Sequence, residues 1–228
     1  MATRLFLRNT TANTSGYVGT EKSTALPVGT FDDAGNGARD LEETKGSSQT
    51  SVTNTSLAQT ADQDQYMGKW ISDPLTGITQ IDANTWTLAL AVSENNAAAN
   101  SFTVASVYVL TSGDTVRGFI YDSHTSLGVE YTGTEDGQVY SLTGSAVTGV
   151  VSTDRLVVEV WIHAAQSMTV GYINTIFFDG TTDVVDATTT DAASYLETPQ
   201  NGLFASGTTV TPSVIARSAE FPDRRRRR

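Results

Sequence analysis

The stretch Arg155-Leu-Val-Val-Glu-Val-Trp-Ile-His163 decides the fold class of this 228-residue chain. Every second side chain belongs to one wholly aliphatic row, Leu156, Val158, Val160 and Ile162. The intervening row mixes apolar and polar residues, Val157, Glu159, Trp161 and His163. Because successive side chains of a strand point to opposite faces of a sheet, this alternation predicts a half-buried antiparallel β-strand.

Short runs rich in β-branched and aromatic residues recur on both sides of this stretch. They are Met67–Ser72, Gly77–Ile81, Asn84–Val92, Ser101–Leu110, Thr115–Tyr121, Gln138–Leu142, Ala146–Val151, Ser167–Phe178 and Thr209–Ala216. Gly, Asp and Asn residues, which favour turns, separate them. Strands at this spacing predict an all-β fold, an antiparallel β-sandwich spanning residues 66–221. The one helical candidate is a single turn within Glu94–Asn100.

The first 65 residues differ from the rest of the chain. Thr3–Arg8 is a short β-prone run with Leu5 and Leu7 on one face and Phe6 on the other. From Asn9 to Gln65 the apolar residues are sparse and keep neither a strand nor a helix period. We therefore predict three parts: an N-terminal strand with a long extended arm (1–65), the sandwich (66–221) and a basic C-terminal tail (222–228).

Composition excludes several kinds of chemistry. The chain has no cysteine, so disulfides, thiolate metal sites and thiol nucleophiles are absent. Its two histidines, His124 and His163, are far apart in the sequence, which argues against imidazole metal sites. No stretch approaches the roughly 18 apolar residues of a membrane helix. The opening residues lack the apolar core of a signal peptide, so we expect a soluble, unprocessed chain with no membrane partner.

Enzyme motifs are not recognisable. The chain has no nucleophile elbow around a serine and no glycine-rich phosphate loop before a helix. A glycosidase needs only two facing carboxylates, and the candidates are Glu94, Glu130, Glu135, Asp136 and Glu159. Each lies beside turn residues or on the polar face of a strand, which favours ordinary solvated acids. We therefore predict a non-enzymatic protein without a cofactor.

The sequence offers candidates for a calcium site and for a sugar-stacking site, and each has a simpler interpretation. Calcium needs only oxygen ligands, and the candidates are Asp62, Asp64, Asp179, Asp183, Asp186 and Asp191. Their spacing matches no known calcium loop, so we predict no metal site. The three tryptophans, Trp70, Trp86 and Trp161, would suit a sugar-stacking platform. Burial in the sandwich is the commoner fate of such aromatic residues and is our prediction.

Charge is divided unevenly along the chain. The formal net charge is −11, yet the last five residues, Arg224–Arg228, are all arginine. Without them, nine basic residues stand against 25 acidic ones, a balance of −16. A body this acidic repels nucleic acid, so we do not expect a nucleic-acid partner. Arginine pairs bidentately with carboxylates, and the simplest expectation for the tail is a clamp between copies.

Several segments carry a resemblance to a known group. They are the opening Met-Ala-Thr-Arg-Leu-Phe-Leu, residues 84–100, Asp154–Trp161, Phe177-Phe-Asp-Gly-Thr-Thr182 and Ala193-Ser-Tyr-Leu-Glu197. Together they resemble poorly characterised structural proteins of tailed bacteriophages. The resemblance implies a virion component with a jelly-roll-like sandwich, and it brings no catalytic residues. The long arm and the five-arginine ending depart from the group's pattern.

We therefore predict a structural protein located in the virion, as a capsid cement or decoration protein or as a neck or tail accessory. It would form a homo-oligomer, such as a trimer, and bind other virion proteins. The residues predicted to contact partners are Arg4, Phe6, Arg8, Phe221, Arg224, Arg225, Arg226, Arg227 and Arg228. The alternative is a receptor- or glycan-binding sandwich module of a fibre or neck appendage, since a sandwich fold alone does not choose among these functions.

Overall fold

The computed structural model describes residues 2–11, 38–55, 63–122, 126–164, 171–185 and 190–204. Almost all regular structure in them is β. The strands are β1 (Thr3–Thr11), β2 (Arg39–Glu42), β3 (Thr50–Thr55), β4 (Gln63–Pro74), β5 (Gln80–Ile81), β6 (Thr85–Glu94), β7 (Ser101–Leu110), β8 (Val116–Asp122), β9 (Asp136–Thr143), β10 (Val147–Thr148), β11 (Arg155–Ala164), β12 (Ile173–Phe178), β13 (Thr182–Asp183), β14 (Ala192–Ala193) and β15 (Tyr195–Thr198). A 3-10 turn at Ala97–Ala99 precedes β7. The described residues include no helix long and apolar enough to cross a membrane.

Eleven of the strands form one sheet, in the order β3-β12-β6-β15-β1-β2-β4-β11-β7-β8, with β9 paired to the other edge of β6. Strands β12 and β15 share one edge of β6, one beside each half of it. Strand β1 joins the two halves of the sheet, because it pairs with β15 near its start and with β2 further along. The sheet forms a sandwich, and the predicted all-β sandwich is confirmed.

One core cluster lies inside the sandwich and takes side chains from both halves of the sheet. The aliphatic rows predicted for β6 and β11 all belong to it, and each of their residues is fully buried: Leu88, Leu90, Val92, Leu156, Val158, Val160 and Ile162. Trp70 and Trp86 lie in the same cluster. The periodicity read from the sequence thus identifies the inward face of both strands.

The second face of β11 is also buried, which differs from the half-buried strand that was predicted. Strand β11 pairs along its length with β4 and β7, so its outward side chains have neighbours on both sides. Val157 packs with Ile71 and Tyr108, and Trp161 stacks edge-on against Tyr66 at 5.1 Å between ring centroids. Both faces of β11 are therefore buried along most of its length, although Glu159 keeps the outward face partly polar.

Within the arm predicted from Asn9 to Gln65, the described residues form the end of β1, strands β2 and β3 and the start of β4, with irregular structure over residues 43–49. Strands β2 and β3 belong to the main sheet, and β4 begins before the boundary expected at residue 66. Strand β2 pairs in parallel with β4, which makes the sheet mixed rather than purely antiparallel. Leu41 and Val52 are the buried residues of β2 and β3, and one apolar residue per strand is too few to show a period.

Side-chain amides cover the edge of the sheet at β3. The Asn54 amide donates to the carbonyl oxygen of Tyr66 at 2.9 Å, and the Gln65 amide donates to the carbonyl oxygen of Thr55 at 2.9 Å. Both bonds link β3 to β4, which belongs to the other half of the sheet. They join one end of the sheet path, β3, to an interior strand of its other half.

Replacing Leu90 tests the assignment of the core. Leu90→Ala should lower the free energy of unfolding by about 2–5 kcal/mol, because it leaves a cavity between the two layers. The matched control is Val139→Ala on the neighbouring strand β9, where the side chain is 44% exposed and the expected change is about 0.5 kcal/mol. Urea unfolding followed by tryptophan fluorescence measures both. Equal losses of unfolding free energy in the two variants would contradict the assignment of Leu90 to the buried face and of Val139 to the exposed face.

Candidate functional site

The cationic residues of β1 were predicted to contact partners, and the structure places them in ion pairs within the chain. The Arg4 guanidinium lies 2.5 Å from Glu197 and 2.7 Å from Asp183. Its hydrogen bond to Glu197 raises the pKa of Arg4 above its usual value. Phe6, between the two arginines, is buried and packs edge-on against Tyr195 at 5.9 Å. These residues hold β1 against β15.

Arg8 joins three segments of the chain. Its Nη1 donates to Glu42 Oε2 at 2.7 Å and to the carbonyl oxygen of Thr44 at 3.0 Å, while its Nε donates to Asp179 Oδ1 at 2.6 Å. The side chain is only 17% exposed. One guanidinium therefore fixes strand β2, the turn after it and the turn after β12 relative to β1, as its fork of donors allows.

The Arg8–Glu42 pair stands beside an open cleft of about 480 Å³. The cleft is lined by Leu41, Glu42, Glu43, Thr44, Asp73, Pro74, Thr76 and Phe204. These residues come from the end of β2, the end of β4 and the last described residue of the chain. The parallel pairing of Leu41 with Ser72 brings the first two segments together. The Gly77 amide, which donates to the Leu203 carbonyl at 3.2 Å, places Phe204 on the third wall.

The cleft has an acidic rim and an apolar floor. Leu41 is buried, while Pro74 and Phe204 are partly exposed. Glu42 is held by Arg8, whereas Glu43 and Asp73 are exposed and form no ion pair within the described ranges. Two exposed carboxylates over an apolar floor suit a cation that also has a flat apolar face. A guanidinium has both properties.

Sequence reasoning missed this cleft. Its acids lie in the predicted arm and just before Pro74, and their proximity depends on the register of β2 against β4. The one available signal was Leu41-Glu42-Glu43, a lone apolar residue followed by two acids in a polar stretch. Among the other predicted contact residues, Phe221 and Arg224–Arg228 lie outside the described residues.

The carboxylates considered for calcium have other partners. Asp179 pairs with Arg8, and Asp183 pairs with both Arg4 and Lys45. Asp191 accepts hydrogen bonds from the Thr181 hydroxyl and from the backbone amide of Gln49, and these bonds lower the pKa of Asp191. Asp64 lies 2.8 Å from His163 Nδ1. Asp62 and Asp186 fall outside the described residues, and no group of three or more acid or histidine side chains suited to a metal occurs in the part described.

The three tryptophans are at most 1% exposed. Burial was the predicted outcome, and the platform for sugar stacking is not present at these positions. The receptor- or glycan-binding alternative therefore has no support from Trp70, Trp86 or Trp161.

Glu94, one of the acids weighed as a catalytic candidate, is buried between the layers. Its Oε2 accepts from the Ser101 amide at 3.2 Å, and the Ser101 hydroxyl donates to Asn174 Oδ1 at 2.7 Å. Glu94 Oε1 and Asn174 Nδ2 have no hydrogen-bond partner among the described residues. Burial raises the pKa of Glu94 above its usual 4.5. Burial of this carboxyl with one oxygen unpartnered disfavours its charged form.

Two of the remaining acids of that group accept hydrogen bonds from neighbouring side chains. Glu159 accepts from the Tyr108 hydroxyl at 2.8 Å on the outward face of β11. Glu135 accepts a hydrogen bond from the side-chain amide of Gln49 at 2.6 Å, and burial raises the pKa of Glu135. Asp136 begins β9, and Glu130 precedes it in a loop.

Arg8 should be far more sensitive to substitution than Arg4. Arg8→Lys should lower the free energy of unfolding by about 1–3 kcal/mol, because one ammonium does not replace three converging charge-assisted hydrogen bonds. Arg4→Lys, at a side chain 41% exposed, should cost about 0–1 kcal/mol. Urea unfolding at low salt measures the two variants side by side. A larger loss in Arg4→Lys would refute the assigned role of Arg8.

Glu94→Gln should change how stability depends on pH. Since the folded-state pKa of Glu94 is raised, its neutral form contributes fully below the unfolded value, and that contribution is lost as pH rises through the folded-state pKa. The parent protein should therefore lose stability relative to Glu94→Gln as pH rises from below the unfolded value, about 4.3, toward neutral. Urea midpoints across this range test it, with Glu43→Gln at an exposed site as control. If the urea midpoints of the parent and of Glu94→Gln changed in parallel with pH, the assigned effect of the buried Glu94 carboxyl would be contradicted.

Comparison with known proteins finds no matching family model and no matching curated protein. Among solved structures, two crystal structures of a CocE/NonD family hydrolase from Staphylococcus aureus match over 86% of this chain, with 11% and 13% identity and TM-scores of 0.42 and 0.43. The chain spans 36% of the hydrolase's length. Structures of the Gx and Gt strains of infectious bursal disease virus match over 67% of this chain and 36% and 38% of theirs, with 9% and 6% identity and TM-scores of 0.30 and 0.32.

These matches correct one prediction. The chain was expected to be non-enzymatic, and the structures it matches include those of a hydrolase, so that prediction is withdrawn as wrong. At TM-scores below 0.5 the likeness assigns no activity to this chain. The likeness to virus structures is weaker still and is not specific to bacteriophages.

Proposed function

We propose that this chain is a structural component of a bacteriophage virion, where it self-associates and binds other proteins of the capsid, neck or tail. The observation that carries the proposal is the placement of the segments that resemble phage structural proteins. The opening residues form β1, residues 84–94 form β6, Phe177 and Phe178 end β12, and residues 195–197 lie in β15. These four strands are consecutive neighbours in the sheet, in the order β12-β6-β15-β1.

The same four strands share a covered outer face. Phe6, Ala89, Ala91 and Tyr195 form a cluster there with Val184, Ala192 and Ala193, and Phe177 packs against it. The segment after β12 returns over this face through the short parallel pair β13–β14. Most of the resembling segments thus belong to one packed unit, while residues 155–161 lie in β11 in the other half of the sheet. This concentration in one unit supports the use of the resemblance as a guide to function.

Mass spectrometry of purified phage particles tests the proposal. Peptides of this chain should be present after gradient purification, and their amount relative to the major capsid protein gives the copy number. Hundreds of copies would favour a capsid cement protein, and tens or fewer would favour a neck or tail part. Particles that lack its peptides entirely, from a lysate in which the soluble fraction contains them, would disprove a virion role.

A further inference from the structure

We propose that the acidic cleft at the end of β2 and β4 is the docking site for the arginine segment Arg224–Arg228 of a neighbouring copy. This inference rests on the proposed function, because contact between copies requires that they pack side by side. It names the surface on which the basic tail would act, which the sequence alone does not identify.

The chemistry of the cleft fits this occupant. Glu43 and Asp73 present exposed carboxylates at the rim, and Phe204 and Pro74 offer apolar surface beneath them. Arginine pairs with carboxylates through two parallel hydrogen bonds and also stacks on aromatic faces, whereas lysine acts as a compact point charge. Glu42, already held by Arg8 at 2.7 Å, keeps the wall of the cleft in place.

The position and length of the C-terminal segment also fit. The described residues end at Phe204, which itself lines the cleft. Arg224 follows Phe204 by twenty positions, with nineteen residues between them, enough to reach about 65 Å when extended. That reach is compatible with docking into the cleft of an adjacent copy. It also allows the segment to return to its own cleft, so the two arrangements must be separated by experiment.

The two arrangements differ in their dependence on concentration. A tail tethered to its own cleft has a high effective concentration at any dilution. Docking into a neighbour requires an encounter between copies, so it becomes favoured as their concentration rises. We therefore expect association that strengthens with protein concentration and weakens with salt.

A peptide with the sequence of residues 221–228 tests the site. It is labelled with fluorescein and titrated into a full-length variant carrying Arg224→Ser through Arg228→Ser, so that the chain's own tail does not compete. Binding at low salt should be saturable, and Glu43→Gln combined with Asp73→Asn should weaken it at least tenfold. The matched control, Asp114→Asn combined with Asp136→Asn, removes two carboxylates outside the cleft and should change it less than twofold. The proposed site would be overturned if both double substitutions weakened peptide binding equally. It would also be overturned if the peptide did not bind the arginine-to-serine variant with its cleft acids intact.

Sedimentation velocity tests whether the tail docks into a neighbouring copy. The full chain should form oligomers as concentration rises, and the arginine-to-serine variant should remain less associated at low salt while keeping the same urea midpoint. A full chain that stays monomeric at every concentration, while the peptide still binds the cleft, would overturn docking between copies. The virion role is judged separately by particle mass spectrometry, so each proposal can fail without the other.

Discussion

The sheet holds together through β1, whose pairing with β15 joins residues almost two hundred positions apart in the chain. Thr3 lies opposite Thr198 and Phe6 lies opposite Tyr195. On its other side β1 pairs with β2, so without β1 the path of the sheet would separate into two parts. Pairings of such long sequence separation form late, because loop closure must precede them. Arg4 and Arg8 strengthen this joint by binding acids near the far end of the chain.

The parts of the fold that could be predicted are those in which a local pattern is strong. Strands β6 and β11 each carry at least three alternating aliphatic residues, and both the strands and their inward faces follow from that alternation. Strands β2 and β3 have one buried residue each. Their place in the sheet is determined by pairing partners that are distant in the sequence. A local hydrophobic period cannot reveal such partners.

The same reasoning explains why the cleft escaped prediction. Glu43 and Asp73 come together only through the register of β2 against β4, and without that pairing each of them looks like an ordinary solvated acid. The buried acid Glu94 escaped for the opposite reason, since its neighbours in sequence, Asn95 and Asn96, suggest an exposed turn. Residue type and local context identify strands well, but they do not identify which charges share a site.

The amide bonds across the edge of β3 have a consequence for solubility. An open strand edge is a template for pairing with another chain, and crowded copies of a β-protein risk edge-to-edge aggregation. Asn54 and Gln65 each occupy a backbone carbonyl between β3 and β4 with a side chain. Strand β3 is otherwise Thr- and Ser-rich, with Val52 as its buried residue. The bond to Thr55 thus removes one backbone acceptor that an added strand would need, and it makes this edge less open to growth into an intermolecular sheet.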